Sequence, residues 1–193
     1  MDKATVVVVG SGGREHALCL SLDSSPQVGS LHCVPGNAGT AHLATNHANE
    51  MSTTSLMALF ERLKPDLVVV GPEAPLCAGL ADACAAAGFA CFGPVAALAH
   101  LEGSKLHAKE TMQAAGVPTA AYQRLDTQSD VDVALDAYAG HPWVVKRDVL
   151  AGGKGVVVTE DRSEAKAFIE SSIQTDGFVL LEAFLPGEEA SML

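Results

Sequence analysis

The chain has 193 residues, of which 48% are hydrophobic and only 5% aromatic, and it carries a formal net charge of −11. That length supports one or two domains with a real core, and an interior rich in Val, Ala and Leu suits buried parallel strands under covering helices. The acidity, with no Lys/Arg cluster, argues against a nucleic-acid surface and against anionic membranes, but it leaves room for a small phosphorylated ligand in a locally positive pocket.

In chain order, residues 5–9 read as a buried strand and 14–22 as the helix after it, joined by the turn Gly10-Ser11-Gly12-Gly13. Strand 28–34 runs into Pro35-Gly36-Asn37-Ala38-Gly39-Thr40. Helix 53–63 places Leu56, Leu59, Phe60 and Leu63 on one face. Strand 67–70 stops at Gly71-Pro72, helix 75–87 at Gly88, and the short strand 89–92 at Gly93-Pro94. The apolar run 76–101 is interrupted by Asp82 and by Gly93-Pro94, so it reads as two soluble elements rather than a membrane span. This alternation predicts an α/β architecture with a parallel sheet. The turn-rich loops at Gly10, Pro35 and Gly71 then share the carboxyl edge of that sheet, where ligands bind.

Beyond about residue 95 the rhythm changes. Residues 95–116 read as helical, with Gly116-Val117-Pro118 as the stop. Strand 120–123, helix 130–139, strand 143–146, a glycine loop and strand 155–159 follow. Helix 163–171, with Ser163 as its N-cap, and strand 178–182 complete a small α+β unit. The chain stops at Ala190-Ser191-Met192-Leu193 as a further strand begins, so it is expected to be part of a longer protein. Its five cysteines (Cys19, Cys33, Cys77, Cys84 and Cys91) are odd in number and form no CxxC pair, which predicts free thiols in a reducing cytoplasm. Cys77 and Cys84, seven apart near or on one predicted helix, read as buried small hydrophobes. The early apolar run, 6–9, is too short for a signal peptide.

Four stretches carry chemistry. The first is Gly10-Ser11-Gly12-Gly13-Arg14-Glu15-His16. Its glycines match the first two of a dinucleotide fingerprint, but Glu15 stands where the third belongs, and Cys33-Val34-Pro35 supplies no acidic residue after the second strand. What remains is either an anion-receptive helix start strengthened by Arg14, or a tight turn with solvated charges. The second comprises the loops Pro35 to Thr40 and Gly71-Pro72-Glu73-Ala74-Pro75-Leu76. There Asn37, Thr40 and Glu73 are polar groups suited to amine and hydroxyl recognition on the same sheet edge. The third is Lys146-Arg147-Asp148-Val149-Leu150-Ala151-Gly152-Gly153-Lys154-Gly155. It is not a Walker A loop, because Asp148 replaces the first glycine and a strand rather than a helix follows. It reads as a glycine lid over phosphates with Lys146 pointing from the preceding strand, or as an ordinary hairpin with charged edges. The fourth is EAFLPGEE, Glu182 to Glu189, an acidic turn for ribose hydroxyls or simply a solvated one.

Together these stretches resemble the phosphoribosylamine–glycine ligase (glycinamide ribonucleotide synthetase) family of the ATP-grasp superfamily. The matching segments are VVGSGGREHAL, PGNAGT, VVVGPEAPL, FGP with LEGSK, GVPTA, VVKRDVLAGGKGVVV and LLEAFLPGEEAS, in family order across essentially the whole chain. The resemblance implies a Rossmann-like pre-ATP-grasp domain over 1–103, followed by the N-terminal α+β part of an ATP-grasp domain over 104–193, with a B subdomain at about 120–190. It implies a soluble cytoplasmic enzyme of purine biosynthesis that uses ATP and Mg2+ (or Mn2+) to join phosphoribosylamine to glycine through glycyl phosphate.

Carried onto this chain, the substrate-binding positions are Gly12, Gly13, Arg14, Glu15, Asn37, Gly39, Thr40, Pro72 and Glu73. Those for ATP are Lys105, Lys146, Gly152, Gly153, Lys154, Gly155, Glu182, Phe184, Leu185 and Glu189, with Glu188 an alternative to Glu189 at the ribose. No catalytic residue is assigned within the chain. The family's metal-binding Glu and Asn fall beyond residue 193, so the chain by itself is not expected to catalyse ligation. There are departures. The phosphate loop more commonly reads KADGLAAGKG, where this chain has Arg147, Val149 and Gly152, and Ala183 replaces an acidic residue at the hinge. Two rival readings are another ATP-grasp carboxylate–amine ligase and a non-catalytic nucleotide-binding module.

Overall fold

A computed structural model describes residues 3–150 and 155–190. The chain divides into two compact units, Met1–Gly103 and Ser104–Leu193.

The first unit is built on β1 (Ala4–Gly10), α1 (Gly13–Asp23), β2 (Val28–Pro35), a 3-10 turn at Thr40–His42 and the short β3 (Thr45–Asn46). It continues with α2 (Thr53–Leu63), β4 (Leu67–Val70), α3 (Glu73–Cys77), α4 (Leu80–Ala87), β5 (Cys91–Phe92) and α5 (Ala96–Gly103). Its five strands lie in the order β3-β2-β1-β4-β5, all parallel. The run of four valines in β1 is explained by burial on both faces. Val7 and Val9 pack with Leu56, Leu59 and Phe60 of α2 and Leu80 of α4, while Val6 and Val8 pack with Cys19 of α1 and with Cys33. A parallel sheet covered on both sides needs apolar side chains at every position, not at alternate ones. In the register Gly10 pairs with Pro35 and Val9 with Val70, so the three loops do leave one edge of one sheet, as expected.

The expected single helix 75–87 is two helices. Gly79 takes φ +84°, a left-handed conformation that ends the first and starts the second. Cys77 and Cys84 therefore sit on separate helices. Cys84 is buried, and its thiol is pushed up by a hydrogen bond with Cys91 and by burial, in keeping with a packing role. Likewise 95–116 is not one helix. Ser104 is extended at φ −134°, and its hydroxyl accepts the His107 N–H, which caps a new helix.

The second unit comprises α6 (Lys105–Ala114), β6 (Tyr122–Asp126), α7 (Val131–Ala137), β7 (Trp143–Arg147), β8 (Val156–Thr159), α8 (Arg162–Asp176) and β9 (Phe178–Glu182). The sheet is antiparallel, ordered β6-β9-β7-β8. One face packs Leu125, Val145, Val179 and Leu181 against Leu135 of α7 and Ile169 of α8. The strand expected at 120–123 begins two residues later and runs to Asp126, because its ladder partner β9 sets the pairing from Tyr122 opposite Glu182 to Asp126 opposite Phe178.

The last helix starts earlier and ends later than 163–171. Its N-cap is Asp161, whose carboxylate accepts the N–H groups of Ser163 (2.8 Å) and Glu164 (3.3 Å), so Ser163 is not the cap. Asp161→Ala should lower stability by about 1 kcal/mol, whereas Ser163→Ala should stay within about 0.5 kcal/mol of the parent in urea denaturation. The reverse ranking would return the cap to Ser163.

Candidate functional site

In the first unit the sheet order reverses between β1 and β4. Strands were added outward on one side of β1 before the chain crossed to the other, and such a switch point opens a crevice at the carboxyl edge. A cleft of about 550 Å³ lies there, lined by Arg14, Gly71, Glu73, Leu76, Phe92 and Glu102 among others. The β1–α1 turn enters it as a helix N-terminus, with Gly12 as the N-cap and Glu15 in the first turn. Free backbone N–H groups and the positive end of α1 favour an anion.

Glu15 is the residue that shapes this edge. It is 4% exposed, and its Oε2 accepts the Gly12 N–H at 2.6 Å. Its Oε1 has no hydrogen-bond partner and lies 3.7 Å from Arg14 Nε. The carboxylate fills the space beside two glycines: a methyl group on Gly71 would come within 1.9 Å of Oε1, and one on Gly10 within 2.6 Å of the carboxyl carbon. The group that spoils the dinucleotide fingerprint thus links the β1 and β4 loops. Arg14 reaches across the same gap. Its Nη1 donates to the Gly71 carbonyl at 2.6 Å and its Nη2 lies 3.9 Å from Glu73 Oε2, while the side chain stays 65% exposed.

The Pro35–Thr40 loop differs from the expectation of open polar side chains. Thr40 is fully buried. Its hydroxyl accepts the Asn37 N–H (2.8 Å) and donates to Asn46 Oδ1 (2.8 Å). Asn37 Nδ2 donates to the Ser11 and Gly12 carbonyls (2.9 and 3.2 Å), and its Oδ1 accepts from the N–H groups of Gly39 and Thr40 (2.7 and 3.0 Å). Both side chains are committed: Thr40 ties the loop to itself and to Asn46, and Asn37 holds it against the β1 turn through the Ser11 and Gly12 carbonyls. They shape the edge rather than offer free donors to it. Asn46 was not anticipated, since a two-residue strand gives no periodic signal.

In the second unit, Lys105, Lys146 and Glu182 are all described, whereas Gly152, Gly153 and Lys154 lie outside the described residues. The glycine loop joins β7 to β8 as an antiparallel hairpin, with Lys146 opposite Val156 and the Gly155 carbonyl accepting the Arg147 N–H at 2.8 Å. Asp148 ties the base of this loop to α6. Its carboxylate accepts from Ser104 Oγ (2.8 Å) and from the backbone N–H groups of Lys105 (2.5 Å) and Leu106 (3.2 Å). Lys105 Nζ donates to the Val149 carbonyl at 3.1 Å. Arg147, one of the departures, is balanced by a two-pronged pair with Asp176, at 2.6 and 2.9 Å.

Lys146 and Glu182 share the sheet face opposite α7 and α8. They are diagonal neighbours, since Val144 stands directly across from Glu182, and the two charges meet at 3.0 Å. A third member, Lys109 of α6, reaches the same Glu182 oxygen at 2.9 Å. Sequence reading missed it. The one signal available was its position four residues after Lys105, on the same helix face. Phe184 and Leu185 follow β9, and Leu185 is 67% exposed. Among the described residues no three His, Cys, Asp or Glu side chains gather into a metal site. None of the described helices is long and apolar enough to cross a membrane.

Residues 4–102 match the model of the phosphoribosylglycinamide synthetase N domain, and 103–193 that of the phosphoribosylglycinamide synthetase ATP-grasp (A) domain. The chain is 50% identical over 192 residues to a phosphoribosylamine–glycine ligase of Mycobacterium bovis, covering 97% of this chain and 46% of that protein. It is also 50% identical over 188 residues to the enzyme of the same name from Streptomyces coelicolor, covering 97% of this chain and 44% of that protein. The crystal structure of phosphoribosylamine–glycine ligase from Thermotoga maritima superposes with a TM-score of 0.74 at 30% identity, over 95% of this chain and 44% of that one. The chain therefore spans just under half the length of the relatives it matches.

Proposed function

This chain belongs to the phosphoribosylglycinamide synthetase family, and from that premise we propose that the whole protein is an ATP-dependent carbon–nitrogen ligase. It joins 5-phosphoribosylamine to glycine, giving glycinamide ribonucleotide, ADP and phosphate, in purine biosynthesis in the cytoplasm. A glycine carboxylate oxygen attacks the γ-phosphorus of ATP and displaces ADP. The amine nitrogen then attacks the acyl carbon, phosphate leaves, and the nitrogen gives up a proton.

The observation that carries this reading is the switch-point edge of the first unit, where Arg14, Glu73 and the start of α1 meet in one cleft. Gly13, at the start of α1, presents its backbone N–H to the phosphate of phosphoribosylamine with Arg14 adding charge, while Gly12, whose own N–H is held by Glu15, lets the chain approach closely. Glu73, after Pro72, accepts from the sugar hydroxyls or the amine. Glu15, Asn37, Gly39 and Thr40 keep the loops in shape.

In the second unit, Lys105 and Lys146 serve the phosphates of ATP. Gly152, Gly153, Lys154 and Gly155 belong to the loop that covers them, the backbone of Glu182, Phe184 and Leu185 attends the base, and Glu189, or Glu188, attends the ribose. Magnesium or manganese would neutralise phosphate charge, and its ligands are assigned to the longer protein.

The test uses the whole protein. Phosphate should be released only when ATP, glycine and phosphoribosylamine are all present. Turnover of ATP with an unrelated carboxylate, and none with glycine, would sink the reading. Lys146→Ala should raise the KM for ATP by about tenfold or more, since one charge-assisted contact to phosphate is lost.

A further inference from the structure

Lys109 is a lysine with a side chain only 7% exposed, and burying an ammonium is unfavourable unless every donor is met. Here every donor is met. The three N–H groups have three acceptors: Thr119 Oγ1 and the Ala120 carbonyl, each at 3.0 Å, and Glu182 Oε2 at 2.9 Å. The ammonium also lies 5.5 Å from the Tyr122 ring centroid. Lys146 is different. Its side chain is 31% exposed, and among the described residues its ion-pair partner is Glu182, at 3.0 Å. Two lysines thus converge on one oxygen of one carboxylate, and the other oxygen, Oε1, is buried with no hydrogen-bond partner.

We propose that Lys109 is a positioning residue of the nucleotide site: it holds Glu182 permanently, so that Lys146 is the member of the pair free to move to a polyphosphate. The proposal rests on the reading that Lys146 serves the phosphates of ATP. Were Lys146 the sole counter-ion of Glu182, its departure would strand a carboxylate that is 3% exposed, and the buried pair would resist opening. With Lys109 in place the carboxylate keeps a buried partner, and Lys146 exchanges one anion for another. Lys109 touches no substrate in this scheme. It sets the fraction of molecules in which Lys146 is available, and apparent affinity scales with that fraction.

The test has two readouts in the whole protein. Lys109→Met should raise the KM for ATP about tenfold while kcat at saturating ATP stays within about twofold, and Lys109→Arg should restore most of the loss. Without nucleotide, acylation of Lys146 by an amine-reactive reagent, followed by mass spectrometry relative to Lys3, should slow about fivefold in Lys109→Met, because the amine is pinned as sole partner of Glu182. If the single variant does not fold, Lys109→Met combined with Glu182→Gln takes its place. With no carboxylate to hold it, Lys146 should label at least as fast as in the parent, and slower labelling overturns the proposal. Unchanged KM and unchanged labelling in a folded Lys109→Met protein also overturn it. If instead Lys146→Ala leaves ATP kinetics untouched, the reading of Lys146 fails, while the labelling experiment still reports whether Lys109 governs its release.

Discussion

Replacing Glu182 by leucine is expected to lower the unfolding free energy of the second unit by about 3–5 kcal/mol, the range for removing one partner of a buried ion pair. The carboxylate is 3% exposed between Lys109 and Lys146. Leucine adds apolar area at that spot, a gain of about 1 kcal/mol. Against this, Lys109 would be left 7% exposed with two neutral acceptors and one ammonium N–H unmet. The second effect is larger, so the net change is destabilising. Lys146, being nearer the surface, can turn to water and contributes little to the loss. The chain's single tryptophan, Trp143, lies in β7 of the same sheet and reports this transition by fluorescence during urea denaturation. Converting both buried charges, Lys109→Met with Glu182→Leu, should recover most of the loss, because no unpaired charge then remains. A loss below about 1 kcal/mol in the single variant would mean that the buried pair is not the strut drawn here.

What the sequence disclosed and what it hid follow from how local each signal is. The strands 67–70 and 178–182 and the helix 53–63 were read with their observed bounds. Each is bounded by its own chemistry: Gly71 after β4, Gly177 before β9, and the Ser52 cap with left-handed Lys64 at the ends of α2. The helix breaks at Gly79 and Ser104 were missed because both sit inside runs rich in Ala, Leu and other helix formers, where composition outweighs one residue. β3 has two residues and exists only because His32 and Cys33 of β2 pair with it.

At the candidate site, the sheet-edge loops were legible as turn chemistry, and their shared edge followed from the alternation of strand and helix. The partners were not legible. Glu15 was informative only as a missing glycine, and its contact with Gly71 joins residues brought together by the β1–β4 pairing. Lys109 carried no motif at all, since its acceptors Thr119, Ala120 and Glu182 converge only once β6 and β9 pair.

Gly71→Ala should destabilise the first unit by about 1–3 kcal/mol, the usual range for overpacking, although alanine differs from glycine by one methyl group. Backbone strain is not the cause, because Gly71 is not among the residues with positive φ. The cause is contact: the new methyl would sit 1.9 Å from Glu15 Oε1 and 2.6 Å from its carboxyl carbon. A flexible carboxylate at the surface would swing aside at little penalty. This one is 4% exposed, is held by the Gly12 N–H at 2.6 Å, and is hemmed in on its other side by Gly10. Moving it breaks the cap on α1 and releases the Gly12 N–H that the anion-binding turn depends on. It also disturbs Arg14, which is bound to the Gly71 carbonyl at 2.6 Å. In the whole protein the KM for phosphoribosylamine should therefore rise well before the KM for ATP does. The deciding measurement is a double-mutant cycle. If the clash with Glu15 is the mechanism, Gly71→Ala should cost less than about half as much in a Glu15→Ala background, since a shared contact makes the two changes non-additive. Equal losses in both backgrounds would place the effect in the β4 loop itself and remove Glu15 from its role as the link between the two strands.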